Sequence, residues 1–107
     1  MYVLVAGCGV VGSQLAVSLS AAGHNVVVLD KDPAAFRNLG ATFNGLTLHG
    51  FAFDQDLLLD AGIERADAFV AATNLDNANI MSAEVARVVF KVPQVIVRLT
   101  SPVRVRT

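Results

Sequence analysis

The sequence has 107 residues, of which 54% are hydrophobic and 16% are charged, and its formal net charge is −1 at pH 7. This composition is typical of one globular domain and excludes a disordered chain, since most domains hold roughly 100 to 150 residues. The charge excludes the basic surface typical of nucleic-acid-binding proteins. No apolar run reaches the roughly 18 residues that a membrane-spanning helix needs, so no direct membrane insertion is expected.

The first residues lead directly into an apolar run, with no basic stretch before it. This pattern predicts no cleavable signal peptide and therefore a cytoplasmic protein. The single cysteine, Cys8, has no partner for an internal disulfide, which agrees with a reducing compartment.

Short apolar runs rich in valine predict the strands of a parallel sheet that is buried on both faces. A weaker run between Gly45 and Gly50, residues 46–48, predicts a further strand that is more exposed. The four stronger runs cover residues 3–6, 26–29, 68–72 and 95–97.

Segments of helical length separate these strands. The first helix is predicted to begin inside a glycine-rich loop and to end at Gly23. Asp32 followed by Pro33 is typical of a helix cap and a first helical residue, and Asp76 is predicted to cap the last helix. The three later helices are predicted over residues 33–39, 54–62 and 77–90.

The alternation of strands and helices predicts an α/β fold, because crossovers between parallel strands are right-handed. We expect a Rossmann-like doubly wound parallel sheet of about five strands ordered 3-2-1-4-5, with helices on both faces. A single domain accounts for residues 1–107. The sequence ends at Arg106-Thr107, just after the fifth strand, so either the fold ends early or this is a piece of a larger protein.

The loop after the first strand carries the string Gly7-Cys8-Gly9-Val10-Val11-Gly12, a G-x-G-x-x-G pattern. The pattern alone is weak, but here it follows a strand, opens a helix and precedes a second strand that ends in an acidic residue. Gly7 allows the tight turn, Gly9 leaves room for a pyrophosphate, and Gly12 lets helix and strand approach. The helix N-terminus then attracts the phosphates without a cationic side chain.

Asp30 ends the second strand and is placed to accept hydrogen bonds from both ribose hydroxyls. Its charge repels a 2′-phosphate, which favours NAD(H) or an adenosine nucleotide over NADP(H), and Lys31 offsets the repulsion only in part. Competing interpretations are a structural strand-to-helix turn and a solvent-exposed Asp30. Catalysis by Cys8 is disfavoured because no base lies nearby in sequence, and isolated histidines disfavour a metal site.

Four strings together resemble the regulatory nucleotide-binding domain of potassium transporters and channels, the Trk or RCK type also called KTN. They are VAGCGVVGSQLA, VVVLDKDPAAF, LHGFAFDQDLLLDAGIERADAFVAATNLDNANI and VPQVIVRLTSP, and they span essentially the whole chain. The resemblance implies a non-enzymatic domain that forms homodimers or rings, binds NAD(H), ADP, AMP or ATP, and gates an attached membrane pore from the cytoplasmic side.

The resemblance also implies nucleotide contacts for particular residues. Lys31 joins Asp30 at the ribose, Phe51 and Ala52 lie near the adenine, and Ala72, Thr73 and Asn74 close the cleft after the fourth strand. Arg98 matches an arginine of the family after the fifth strand, but its role does not follow from the sequence. The contacts implied at the phosphates are those of the loop, Gly7, Cys8, Gly9, Val10, Val11 and Gly12.

Two positions depart from the family pattern. Val10 stands where members that respond to ATP often have an arginine, so a third phosphate loses its clamp. Phe51 stands where an aspartate is common, and it can stack on a base but cannot accept a hydrogen bond.

Two other functions fit the same residues. The chain is alternatively the cofactor-binding part of an NAD-dependent oxidoreductase, although no proton donor or base is convincingly placed for that chemistry. A Rossmann-like scaffold that has lost its ligand is the third possibility.

Overall fold

The structure is a computed structural model that describes residues 1–99. Its strands alternate with helices as the sequence predicts, and two of the helical segments are 3-10 helices. The elements in chain order are β1 (Tyr2–Ala6), α1 (Val10–Ala21), β2 (Asn25–Asp30), a 3-10 helix (Pro33–Leu39), β3 (Leu46–His49), α2 (Gln55–Asp60), a 3-10 turn (Ile63–Arg65), β4 (Ala68–Ala71), α3 (Asp76–Glu84), its π-helical continuation (Val85–Val89) and β5 (Gln94–Val97).

The five strands form one sheet in the order β3-β2-β1-β4-β5, and all neighbours are parallel, which confirms the predicted topology. The register places Leu4 of β1 opposite Val27 of β2 and Phe69 of β4. The strand β3 lies at an edge and is largely exposed, in agreement with its weaker apolar run. The order of connection reverses between β1 and β4, so a crevice opens at the carboxyl ends of these two strands.

Successive residues of β1 point to opposite faces of the sheet and contribute to two separate hydrophobic clusters. Leu4 packs with Leu58 and Phe69 on the face covered by α2 and α3. Val5 packs with Ala16 on the other face, which α1 and the first 3-10 helix cover. Helices therefore cover both faces of the sheet, as predicted.

The helices differ from the prediction in two respects. Residues 33–39 form a helix as predicted, but it is a 3-10 helix, and seven residues is long for a helix of that type. Asp32 caps it as predicted, since its Oδ1 accepts the Ala34 N–H at 3.0 Å. The expectation that Asp76 caps the last helix is wrong: Leu75 holds the cap position, because the Thr73 hydroxyl accepts the Leu75 N–H at 3.1 Å and fixes the turn before it.

Asp76 instead lies buried in the first turn of α3, where the helix dipole favours a carboxylate. Over residues 1–99, none of the helices has the length and apolarity required to cross a membrane. The expectation about how the fold ends after the fifth strand concerns residues 100–107, which lie outside the described part.

Candidate functional site

The three glycines of the loop between β1 and α1 have different physical roles. Gly7 has φ +109°, and an added Cβ would lie 2.8 Å from the Thr73 nitrogen. A Cβ on Gly12 would collide with the Gly7 carbonyl, so only glycine lets α1 approach this closely. Gly9 has φ −76° and open space where a Cβ would lie. The first and third glycines thus build the loop, and the second leaves its surface open.

Side chains from two other elements hold this loop at Cys8. The Cys8 N–H donates to Asp30 Oδ2 at 2.7 Å, and the Cys8 carbonyl accepts from Asn38 Nδ2 at 2.9 Å. Asp30 Oδ1 accepts the Asp32 N–H at 2.8 Å. A carboxylate offers about four acceptor positions. Asp30 therefore supports the loop and keeps acceptor capacity for ligand hydroxyls.

The Cys8 side chain is fully buried in the cluster beside α1 and does not line the cleft described below. Burial, and then the negative charge of Asp30, raises the pKa of its thiol to about 11. The thiol is therefore protonated at neutral pH, which agrees with the expectation that it is not a nucleophile.

A hydrogen-bonded network joins the carboxyl ends of β4 and β5. Buried Asn79 on α3 accepts the Thr73 N–H at 2.9 Å and the Thr73 hydroxyl at 2.6 Å. Its amide donates to the carbonyls of Thr73 at 3.0 Å and Arg98 at 2.8 Å. Arg98 Nη1 also donates to the Thr73 carbonyl at 3.0 Å. This network fixes the wall opposite Asp30.

A cleft of about 520 Å³ opens between these two walls. It lies where the strand order reverses, which is where α/β sheets bind ligands. Of the residues predicted for the site, those in its lining are Gly7, Gly9, Val10, Val11, Asp30, Lys31, Phe51, Ala52, Ala72, Thr73 and Asn74. Cys8 and Gly12 are outside the lining, and they shape the loop from behind.

Sequence reasoning assigned no role to Arg98 and missed Asn79, which lies behind the lining. The lining residues that it missed are Leu29, Asp32, Ala35, Gly50, Phe53, Leu75, Ala78 and Ser82. A signal for Asn79 was present. Small or polar residues at helical spacing, residues 79, 82, 83 and 86, form the buried face of the last helix. A buried asparagine on such a face needs hydrogen-bond partners, and loop backbone supplies them here.

The remaining polar residues singled out from the sequence have structural contacts. His24 Nδ1 lies 3.1 Å from the amino group of Met1, and His49 Nε2 lies 3.1 Å from the Lys31 carbonyl. Asp54 caps α2, accepting the Asp56 N–H at 3.0 Å. Across residues 1–99, His, Cys, Asp and Glu side chains form no group of three suited to a metal ion.

The chain is similar to proteins of potassium transport. It is 49% identical over 104 residues to the Trk system potassium uptake protein TrkA of Streptomyces coelicolor, covering 97% of the chain and 47% of that protein. It is 34% identical over 102 residues to a TrkA homolog of Pyrococcus abyssi, covering 95% of the chain and 45% of that protein. The chain therefore spans about half the length of these curated relatives.

Two solved structures share the fold. The Kef C-terminal domain of Shewanella denitrificans, in its AMP-bound form, matches with TM-score 0.72 and 26% identity over 90% of the chain and 56% of that protein chain. The UDP-glucose 4-epimerase of Bifidobacterium longum, in complex with NAD⁺ and UDP, matches with TM-score 0.67 and 17% identity over 89% of the chain and 36% of the epimerase. The epimerase likeness concerns the fold alone.

The family model of the TrkA-N domain matches residues 3–107. This match sets aside the oxidoreductase alternative, because the family is a regulatory one. The chain belongs to the TrkA-N domain family, the regulatory nucleotide-binding domain of potassium transport, and is not an enzyme.

Proposed function

We propose that this chain is the cytoplasmic regulatory domain of a potassium uptake system or channel. It binds NAD(H) or an adenine nucleotide and transmits the bound state to an ion-conducting membrane partner. The observation that carries the proposal is the loop Gly7–Gly12, held in place by Asp30 and open to the cleft at Gly9. The TrkA relatives support the link to potassium uptake.

In the proposed complex the phosphates lie over the loop, at the N-terminus of α1. The ribose hydroxyls donate to Asp30, beside Lys31, and the base lies against Phe51 and Ala52. Ala72, Thr73 and Asn74 close the cleft on the β4 side. The AMP-bound Kef domain supports an adenine nucleotide, and Asp30 favours NAD(H) over NADP(H) because its charge repels a 2′-phosphate.

The uncharged Val10 lies at the loop surface and leaves a third phosphate without a cationic partner there. We therefore rank NAD(H), ADP and AMP above ATP. Regulation requires that the ligand bind two conformations of the assembly with different affinity, because differential affinity is the only energy available to shift them. We propose that the assembly is a homodimer or a larger ring of these domains.

The test is calorimetric titration of the nucleotide-free chain with NADH, NADPH, AMP, ADP and ATP, for the wild type and Gly9→Ala. A Cβ at position 9 meets no protein atom, so the variant keeps its fold but occupies the space of the phosphates. We expect NADH, AMP or ADP to bind and NADPH and ATP to bind more weakly. Gly9→Ala lowers affinity by about tenfold or more, equivalent to about 1.4 kcal/mol.

Gln14→Ala is the matched control, because Gln14 is exposed on α1 and lies outside the cleft. The comparison of NADH with NADPH tests the ribose contact more cleanly than a substitution of Asp30, because the Asp30 carboxylate also holds the loop. Failure of every nucleotide to bind at millimolar concentration would overturn the proposal. Unchanged affinity in Gly9→Ala would place the phosphates elsewhere.

A further inference from the structure

The part of the cleft next to β3 is walled by two phenylalanine side chains. Phe51 and Phe53 are 52% and 39% exposed, their ring centroids lie 5.2 Å apart, and the ring planes are inclined by 32°. Both belong to the cleft lining. Large apolar side chains are usually buried. This exposed aromatic pair at a cleft therefore favours a ligand with an apolar face.

The wall lies beside the carboxylate proposed to hold the ribose. His49 at the end of β3 pairs with Asp30, and the Gly50 N–H donates to the Asp30 carbonyl at 2.9 Å. Phe51 follows at once. Phe51 is therefore the first side chain of this wall after the residue that pairs with Asp30.

This wall has no side-chain hydrogen-bonding group between Gly50 and Phe53. The Phe51 carbonyl already accepts the Asp54 N–H at 3.0 Å. Asp30 accepts the N–H groups of Cys8 and Asp32, and the proposed site assigns its remaining acceptor positions to the ribose hydroxyls. Residues 50–53 thus offer a surface for stacking and no side-chain acceptor to identify an exocyclic amino group.

We propose that Phe51, supported by Phe53, recognises the base by stacking, so that the site accepts adenine, hypoxanthine and guanine nucleotides alike. This inference rests on the proposed nucleotide site and deepens it by naming the ligand class as purine ribonucleotides. Every purine has a π face, and stacking does not depend on the exocyclic groups that distinguish them. Selectivity then resides in the ribose and the phosphates.

The test is titration of the 107-residue chain with AMP, IMP and GMP, for the wild type, Phe51→Leu and Phe51→Asp. For the wild type we expect the three dissociation constants to agree within about threefold, since stacking tolerates any purine. Phe51→Leu keeps an apolar side chain without the ring and weakens all three by roughly 5- to 100-fold. Phe51→Asp introduces an acceptor for the adenine amino group and favours AMP over IMP by about tenfold.

Leu46→Asp is the matched control for the added charge, because Leu46 is exposed on β3 and lies outside the cleft. Circular dichroism checks that each variant folds. Wild-type binding of AMP with IMP and GMP more than about 20-fold weaker would overturn base tolerance alone. Unchanged affinities in Phe51→Leu would overturn stacking. Absence of AMP binding to the wild type would instead overturn the proposed nucleotide site itself.

Discussion

Cys8 shows how one residue of the loop serves the fold with its side chain and the site with its backbone. Its side chain packs in the cluster beside α1, while its N–H and carbonyl are held by Asp30 and Asn38. A G-x-G-x-x-G pattern identifies the glycines but says nothing about which way the intervening side chain points. The Cys8 side chain is buried because the turn after β1 places Gly7 and Gly9 at the cleft and Cys8 on the opposite side of the loop.

We expect Cys8 to resist alkylation in the folded chain. The thiolate is the reactive form, and the pKa is raised from 9.0 to about 11. At pH 8 the thiolate fraction is therefore about 100-fold lower than in the unfolded chain, because each pKa unit is a factor of ten. Rates of reaction with iodoacetamide, measured with and without urea, test this. Equal rates in the two states would contradict it.

The same pKa shift makes folding stability depend on pH with a defined sign. A thiol whose pKa is higher in the folded state ionises first in the unfolded state. Its contribution to the free energy of unfolding is therefore complete below about pH 9 and is lost as the pH rises toward about 11. Urea unfolding of the wild type and Cys8→Ala across this range separates the thiol from other titrating groups.

At the scale of elements, the sequence predicted those parts of the fold that depend on local pattern. Four apolar runs that contain valine, and the weaker run over residues 46–48, located all five strands, and the spacing of Gly7 and Gly12 located the turn into α1. The cap of α3 was misassigned because the Thr73 hydroxyl, two residues before Leu75, accepts the Leu75 N–H. The bond from Asn79 to the Arg98 carbonyl, 19 residues along the chain, was not predicted either. Contacts between elements distant in sequence leave no periodic signal.

Asn79 is the residue on which this junction of α3, β4 and β5 depends most. We expect Asn79→Asp to lower the free energy of unfolding by about 2 to 4 kcal/mol, because a carboxylate on this buried residue cannot donate to the partly buried Thr73 and Arg98 carbonyls. Urea denaturation followed by circular dichroism measures the loss. Asn44→Asp, on an exposed residue, is the control and costs about 0.5 kcal/mol or less. Equal losses in the two variants would contradict a structural role for Asn79.

At the scale of the whole molecule, the cleft extends across both halves of the sheet. One side carries Asp30 and Phe51, and the other carries Ala78 and Arg98. In the proposed complex, a mononucleotide held by the loop and Asp30 occupies the first side, whereas a dinucleotide extends over the loop into the second. On this proposal the far side distinguishes AMP from NADH, which the glycine loop and Asp30 alone do not.

Ala78→Leu tests this division of the cleft. Ala78 lines the far side from α3, so a leucine there takes space that the second half of a dinucleotide needs. Since atoms in a close-packed site cannot share volume, we expect NADH affinity to fall by about tenfold and AMP affinity to change less than about twofold. Ala21→Leu, an exposed position of α1 outside the cleft, is the control for the substitution itself. Calorimetric titration with both ligands gives the ratio of their affinities.

An equal loss of affinity for AMP and NADH in Ala78→Leu would mean that a mononucleotide already reaches α3. Unchanged NADH affinity would mean that a dinucleotide leaves the far side empty, and the cleft would then be a mononucleotide site.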